Sequence, residues 1–348
     1  MMNAKISREN PLIHKVVMVD GQPGCGKTML SSIIASFEKV ELITYIFELE
    51  FICRLYSFNK ITKDATLAMI KMLIDNKIYQ TMMGRDTNFR YNDISSIFNY
   101  RDPKKYFKRI FDVGDEAIPN KITKEKPILN VTSHDLLINV DVLFKALGKK
   151  LVFIEIVRHP LYMLIQQTLN MENLTNNPRD IEIYFMKKKV EYPYFVHGWE
   201  KKFRNFNSIE KAIYAIFIHT KKNDVKRKKI LKKYHRNFIS IPFEDFVLYP
   251  TNYIKKINKL IGTNFSKDTH GILSNHRVPR KKIADSIPLD IYKRCGWKPP
   301  KKNLTEKEEL NLRRSFAVKN KVSKEMLELL DKLSRDYEKK YFKKIKIN

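Results

Sequence analysis

Five short runs of β-branched and apolar residues recur along the chain, each closed by turn-forming or polar residues. They are 15–20 (KVVMVD), 41–46 (ELITYI), 127–131 (PILNV), 150–157 (KLVFIEIV) and 238–242 (FISIP). Runs of this length and composition predict buried strands. The segments between them carry a helical period: Met29, Leu30, Ile33, Ile34 and Phe37 after the first run, and Leu136, Leu137, Val140, Leu143, Phe144 and Leu147 before the fourth. Strands alternating with helices predict an α/β fold, a central and mostly parallel sheet covered by helices on both faces. Residues 51–126 hold a helical pattern around 65–78 and then a polar, aromatic-rich run with few strand signals, and predict a helical insertion over the sheet. From Thr305 the pattern is helical to the end. Thr305 and Glu308 have capping-box spacing, and Met326, Leu329, Leu330, Leu333, Tyr337 and Tyr341 form a stripe that reads as core packing or a dimer contact. The expected division is a sheet domain over 1–303 and a C-terminal helical extension over 304–348.

Composition changes this picture little. A hydrophobic content of 43% over 348 residues is enough for one large core with helical additions. No apolar run approaches the ~18 residues a membrane span needs, and residues 1–14 lack an apolar leader segment, so a cytoplasmic location is the expectation. Cys25, Cys53 and Cys295 have no metal-site or disulfide spacing and read as free thiols. The balance of 67 basic to 38 acidic residues gives +29. Such a field attracts nucleotides, acidic glycans, nucleic acid or anionic lipid. Lysine, isoleucine and asparagine are abundant throughout, however, and the basic clusters at 187–189 and 226–233 read as solvated faces. Nucleic acid is not the expected partner. Glu155, alone inside an apolar strand, reads as a buried carboxylate paired with a basic neighbour.

The sharpest motif follows the first strand. Gly21, Gln22, Pro23, Gly24, Cys25, Gly26, Lys27 and Thr28 match GxxxxGK[ST] between an apolar strand and an amphipathic helix, the setting of a P-loop. Three of the chain's ten glycines fall within six residues here. Backbone without side chains can close around an anion, and the following helix N-terminus favours negative charge. Lys27 would add a mobile cation, and Thr28 a hydroxyl. Nucleotide hydrolases and kinases that use Mg²⁺ place an acid at a neighbouring strand end. Here the strongest later strand ends in Arg158-His159-Pro160 instead.

At Arg158 the strand followed by RHPLYMLIQQ resembles the sulfotransferase segment in which Arg-x-Pro leaves a central strand and enters a helix. NVTSHDLL resembles that family's catalytic-histidine segment, and FISIPFEDFVLYPTNYIKKINKLIG its later strand, Glu-Asp pair and helix; the resemblance spans about 15–285. It implies 3′-phosphoadenosine 5′-phosphosulfate as donor, 3′-phosphoadenosine 5′-phosphate as product, and no obligatory metal. It further implies that His134 is the general base, that Lys27 and the loop stabilise charge on the transferred group, and that Arg158 grips the 3′-phosphate. Gln166 stands where the family often has a serine sharing that phosphate. Arg280, among Arg277, Lys281 and Lys282, stands where it often has a basic loop over the nucleotide. The loop departs from the family pattern in carrying Gly24 where a cation is common, with the charge moved to Lys27.

The acceptor is expected to be a small molecule or glycan, with Arg85 and Arg90 of the insertion as candidate binding groups. The oligomeric state is open between monomer and homodimer. Two other readings compete. The GKT ending suits a small-molecule kinase using ATP and Mg²⁺. The net charge alone suits a non-catalytic nucleotide- or nucleic-acid-binding protein.

Overall fold

A computed structural model describes residues 4–8, 12–174, 177, 182–288, 290–294, 297–299, 304–342 and 345. Its centre is a five-stranded sheet of β1 (Lys15–Asp20), β2 (Val40–Thr44), β3 (Ile128–Thr132), β4 (Leu151–Val157) and β7 (Phe238–Pro242), in the order β2-β3-β1-β4-β7. All four pairings are parallel. β1, which feeds the glycine loop, is therefore flanked by β3 on one side and β4 on the other.

Alternation along the strands decides which face each side chain serves. Val16 and Met18 of β1, with Leu129, Val131, Leu151 and Phe153, point into a core closed by the helices Lys63–Met82 and Val140–Leu147. Val17 and Val19, with Ile128, Val152, Ile154 and Ile156, point into the opposite core, closed by the helices Lys27–Ala35 and Pro250–Ile261. Both faces are covered, as an all-parallel sheet requires. A third apolar cluster joins the helices Pro160–Glu172, Ser208–Tyr234, Glu306–Lys319 and Lys324–Tyr341. The C-terminal stripe thus packs within the chain: Met326, Leu330, Leu333 and Tyr337 are buried. Thr305 and Glu308 form the expected capping box.

The expected strand 41–46 is shifted. β2 ends at Thr44, and Tyr45 and Ile46 leave the sheet to start the helix Phe47–Ser57. Pro127, which has no N–H to give a ladder, stays outside β3. The hairpin of β5 (Tyr184–Lys187) and β6 (Val190–Pro193) carries no turn signal in the sequence, because Lys188 and Lys189 take the positive φ values, 49° and 63°, that Asn-Gly usually supplies. Glu155 is paired with Arg227, Nε to Oε2 at 2.5 Å and Nη2 to Oε1 at 2.6 Å.

Residues 51–126 are anchored to the edge of the sheet. Glu41 of β2, fully buried, accepts from Tyr106 Oη at 2.7 Å, Lys105 Nζ at 2.8 Å and both terminal nitrogens of Arg109 at 2.8 and 3.0 Å. Among the described residues no helix is long and apolar enough to cross a membrane. Cys25 and Cys53 are buried free thiols, and Cys295 lies outside the described residues.

Candidate active site at the glycine loop

The loop leaves β1 at Asp20 and enters its helix at Lys27. Its carbonyls are turned outward and held there. Gly21 O accepts from Lys27 Nζ at 2.8 Å and from the Asp135 amide at 3.3 Å. Gln22 O accepts from Lys27 Nζ at 3.1 Å, Pro23 O from Gln167 Nε2 at 3.0 Å, and Gly24 O from Arg158 Nη1 at 2.7 Å. The Cys25 amide closes a turn on Gln22 O at 3.2 Å, and the amides of Gly24 and Gly26 have no partner among the described residues. This is an anion cradle at a helix N-terminus. Gly26 has φ 99°, and a Cβ there would lie 2.4 Å from Phe243 Cε2. The cradle exists only because that side chain is absent.

Lys27, 6% exposed, is folded back beneath the loop. Cys25 is no nucleophile: burial pushes its thiol up to about 11.

On the β3 side, His134 sits just beyond the strand. Its ring lies parallel to those of Tyr45 and Phe47, with centroids 6.1 and 6.2 Å away, and the next residue, Asp135, gives its amide to Gly21 O of the loop. Glu50 Oε1 binds His134 twice, at Nδ1 (3.0 Å) and at the backbone amide (3.1 Å). Glu50 Oε2 is held in turn by Arg54 Nη2 at 2.9 Å. A carboxylate on Nδ1 fixes the proton there and leaves Nε2 as the proton-accepting atom. Asp20 and Asp135, the acids nearest the loop, are committed elsewhere. Asp20 accepts from Ser133 Oγ at 2.8 Å and from the amides of Leu136 and Leu137, both at 2.9 Å. Asp135 pairs with His219 and accepts from Asn223 Nδ2 at 2.8 Å. Among the described residues no cluster of three or more His, Cys, Asp or Glu could hold a metal ion.

On the β4 side, Arg158 lies 4.1 Å from the centroid of Phe243 and 5.3 Å from that of Tyr162. Its Nε is buried with no hydrogen-bond partner, and it forms no ion pair among the described residues. The nearby carboxylate, Glu244, is taken by the His159 amide at 2.9 Å and by Tyr337 Oη at 2.6 Å. Burial pushes the Arg158 guanidinium below its usual range, but arginine keeps its charge in proteins. Arg280, 8% exposed, approaches the same Phe243 ring at 5.4 Å and touches Met29 Sδ at 3.3 Å. Gln166 Oε1 would meet a Cβ at Gly24 at 3.1 Å.

His134, Lys27, Arg158, Gln166 and Arg280 are therefore gathered around the loop. Arg85 and Arg90 are not: they are exposed and pair with Asp115 at 3.7 Å and Asp93 at 3.6 Å, and neither bonds to the loop or to His134. The residues that do surround His134 are Tyr45, Phe47 and Glu50. Sequence reasoning missed them, although Glu50 and Arg54 stand at the i, i+4 spacing of a helical ion pair.

No family model and no curated protein matches the chain. Among solved structures it is similar to the sulfotransferase domain from the Synechococcus PCC 7002 olefin synthase, at TM-score 0.41 and 11% identity over 90% of this chain and 98% of that one. It is also similar to the sulfotransferase domain from the curacin biosynthetic pathway, at 0.40 and 12% over 87% and 98%. A third is mouse sulfotransferase SULT7A1 complexed with PAP, at 0.34 and 12% over 94% and 90%.

Proposed function

We propose that the chain is a sulfotransferase that moves a sulfuryl group from 3′-phosphoadenosine 5′-phosphosulfate to a hydroxyl or amine of an acceptor. The observation that carries this is Arg158. A guanidinium held beside the loop, with a buried, unpartnered Nε and no direct ion pair among the described residues, is costly unless an anion completes it. Arg280 brings a second cation to the same ring. Two guanidinium groups beside one phosphate cradle suit a nucleotide with a phosphate besides the one in the loop.

The donor supplies an activated sulfur–oxygen bond. The residues present fit what such a donor demands: the N–H groups of the loop and Lys27 offset negative charge on the transferred group and the departing phosphate. Arg158, Arg280 and Gln166 hold the 3′-phosphate. His134 Nε2 takes the proton of the attacking hydroxyl or amine, and Glu50 keeps that imidazole oriented and stabilises its positive charge. The new oxygen–sulfur or nitrogen–sulfur bond forms as the bond to the phosphate oxygen breaks.

Ligand-induced melting shifts test the reading. A ligand specific to the folded state stabilises it by RT ln(1 + [L]/Kd), about 2.7 kcal/mol at a hundredfold excess over Kd. A clear shift is expected with 3′-phosphoadenosine 5′-phosphate, insensitive to Mg²⁺ or chelator, and a smaller one with ADP. Arg158→Ala should reduce the first shift far more than the ADP shift, which loses only the support that Arg158 gives the loop through Gly24 O. Strong stabilisation by ATP with Mg²⁺ and none by the 3′-phosphorylated nucleotide would replace this reading with the kinase one.

A further inference from the structure

A cavity of about 260 Å³ opens behind the loop, between the helices Ser208–Tyr234 and Lys324–Tyr341 and above the end of β4. It shares Gly21, Gln22 and Cys25 with the loop and Arg158 with the proposed donor site, but His134, Lys27 and Thr28 do not line it. We infer that this cavity binds a second ligand, a small anionic polyol of the sugar-acid or sugar-phosphate class, beside the proposed transfer centre.

Four observations point to that class. First, Arg227 is paired with Glu155 and Asp224, and Lys340 with Asp224 at 2.8 Å, which leaves Arg158, its Nε buried, as a cation of the lining with no ion pair among the described residues. Second, the exposed Lys221 and Lys332 form no ion pair among the described residues, Lys221 lying 6.0 Å from the centroid of Phe217, so an incoming anion meets two ammonium groups that no carboxylate holds. Third, acceptors are in excess. Asn223, 4% exposed, gives its Nδ2 to Asp135, and its Oδ1 has no partner. Gln22 gives its Nε2 to Thr220 Oγ1 at 3.3 Å, and its buried Oε1 has no partner either. Asp336 at the mouth forms no ion pair among the described residues. Such acceptors are completed by hydroxyl donors, and an unsatisfied buried acceptor carries a penalty that a ligand hydroxyl removes. Fourth, Phe217, Tyr337 and Tyr341 give part of the wall an aromatic character suited to the C–H face of a sugar ring. The cavity is far larger than the ~10–15 Å³ that one water needs by the same measure, room for a single ring with one charged substituent.

Calorimetric titration of the full chain tests the inference. The probes are glucuronate and glucose 6-phosphate, with glucose and inorganic phosphate as controls that each carry one of the two features. At least one two-feature probe should bind saturably at one site per chain, and each control on the order of tenfold more weakly, about 1.4 kcal/mol. Lys221→Ala and Lys332→Ala should each weaken the two-feature probe by a similar factor. Lys222→Ala, exposed on the same helix but outside the cavity, should leave it unchanged. Saturating 3′-phosphoadenosine 5′-phosphate should not displace the probe. The inference is overturned if neither two-feature probe binds, if the lysine variants bind as the parent does, or if the nucleotide and the probe exclude each other. None of these outcomes depends on whether sulfuryl transfer occurs.

Discussion

Replacing Gly26 by Ala probes the construction of the loop independently of any reaction. Two costs follow from the geometry. At φ 99° a residue with a Cβ is strained by about 1–2 kcal/mol. The new methyl would also lie 2.4 and 2.5 Å from Phe243 Cε2 and Cδ2. Phe243 is 3% exposed and has the Arg158 guanidinium on its ring, so it cannot swing aside freely, and overpacking of this kind costs about 1–3 kcal/mol. The expected loss is about 2–5 kcal/mol, a large share of the 5–15 kcal/mol typical of a folded protein. Urea unfolding followed by circular dichroism measures it. A cycle with Phe243→Leu separates the two costs, since removing ring atoms relieves the clash but not the backbone strain. The double variant should therefore be more stable than the two single losses predict, by about 1–3 kcal/mol. A single-variant loss below about 1 kcal/mol, or strict additivity in the cycle, would show that the loop is not packed against this ring.

Two further outcomes are expected. His134→Ala should reduce formation of 3′-phosphoadenosine 5′-phosphate from the donor by ~10²- to 10⁴-fold with nucleotide binding retained, and Glu50→Gln should lower the same rate less. Unchanged rates in both would remove this pair from the mechanism. His276, buried beside Arg280, is pushed down from 6.5 to about 4, by burial first and by Arg280 second. Its neutral form is the one the fold accepts, so stability is intact above pH 6.5 and falls as pH drops towards 4, by up to about 3 kcal/mol. His276→Gln should flatten that limb of a melting-temperature profile, and a limb of undiminished slope would refute the assignment.

The sheet was legible because its strands are buried on both faces and read as short apolar runs. β1 and β7 fall where the runs end, 15–20 and 238–242. The loop was legible because glycine is scarce in this chain and concentrated there. What surrounds His134 was not, because Glu50 and Phe47 sit on a helix that begins only when the chain leaves β2 at Thr44, two residues before the end of the expected strand. Nothing in the local pattern says that this helix turns its acid towards the end of β3, 84 residues further along the chain. The charge of the insertion misled in the opposite direction. Arg85 and Arg90 look like binding groups in a list of residues, yet each faces solvent beside an aspartate of its own segment. Sequence counts charges, but only packing shows which of them are already paired.

That distinction also orders the chemistry around the loop. In open α/β sheets ligands sit outside the carboxyl ends of the strands, and here β1 has a different neighbour on each side. The end of β3 delivers His134, its imidazole held by Glu50. The end of β4 delivers Arg158, a cation with no carboxylate of its own. On the proposed function an acceptor would be activated from one flank of the loop and the donor fixed from the other, so that neither group would have to cross the anion. The acids beside the loop, Asp20 and Asp135, spend their oxygens on the Ser133–Leu137 turn, His219 and Asn223. Recruiting them to a cation would break the bonds that hold His134 beside the loop. Under the proposed function the transfer would be assisted by protein cations, Lys27, Arg158 and Arg280, which loop carbonyls and the Phe243 ring already hold in place.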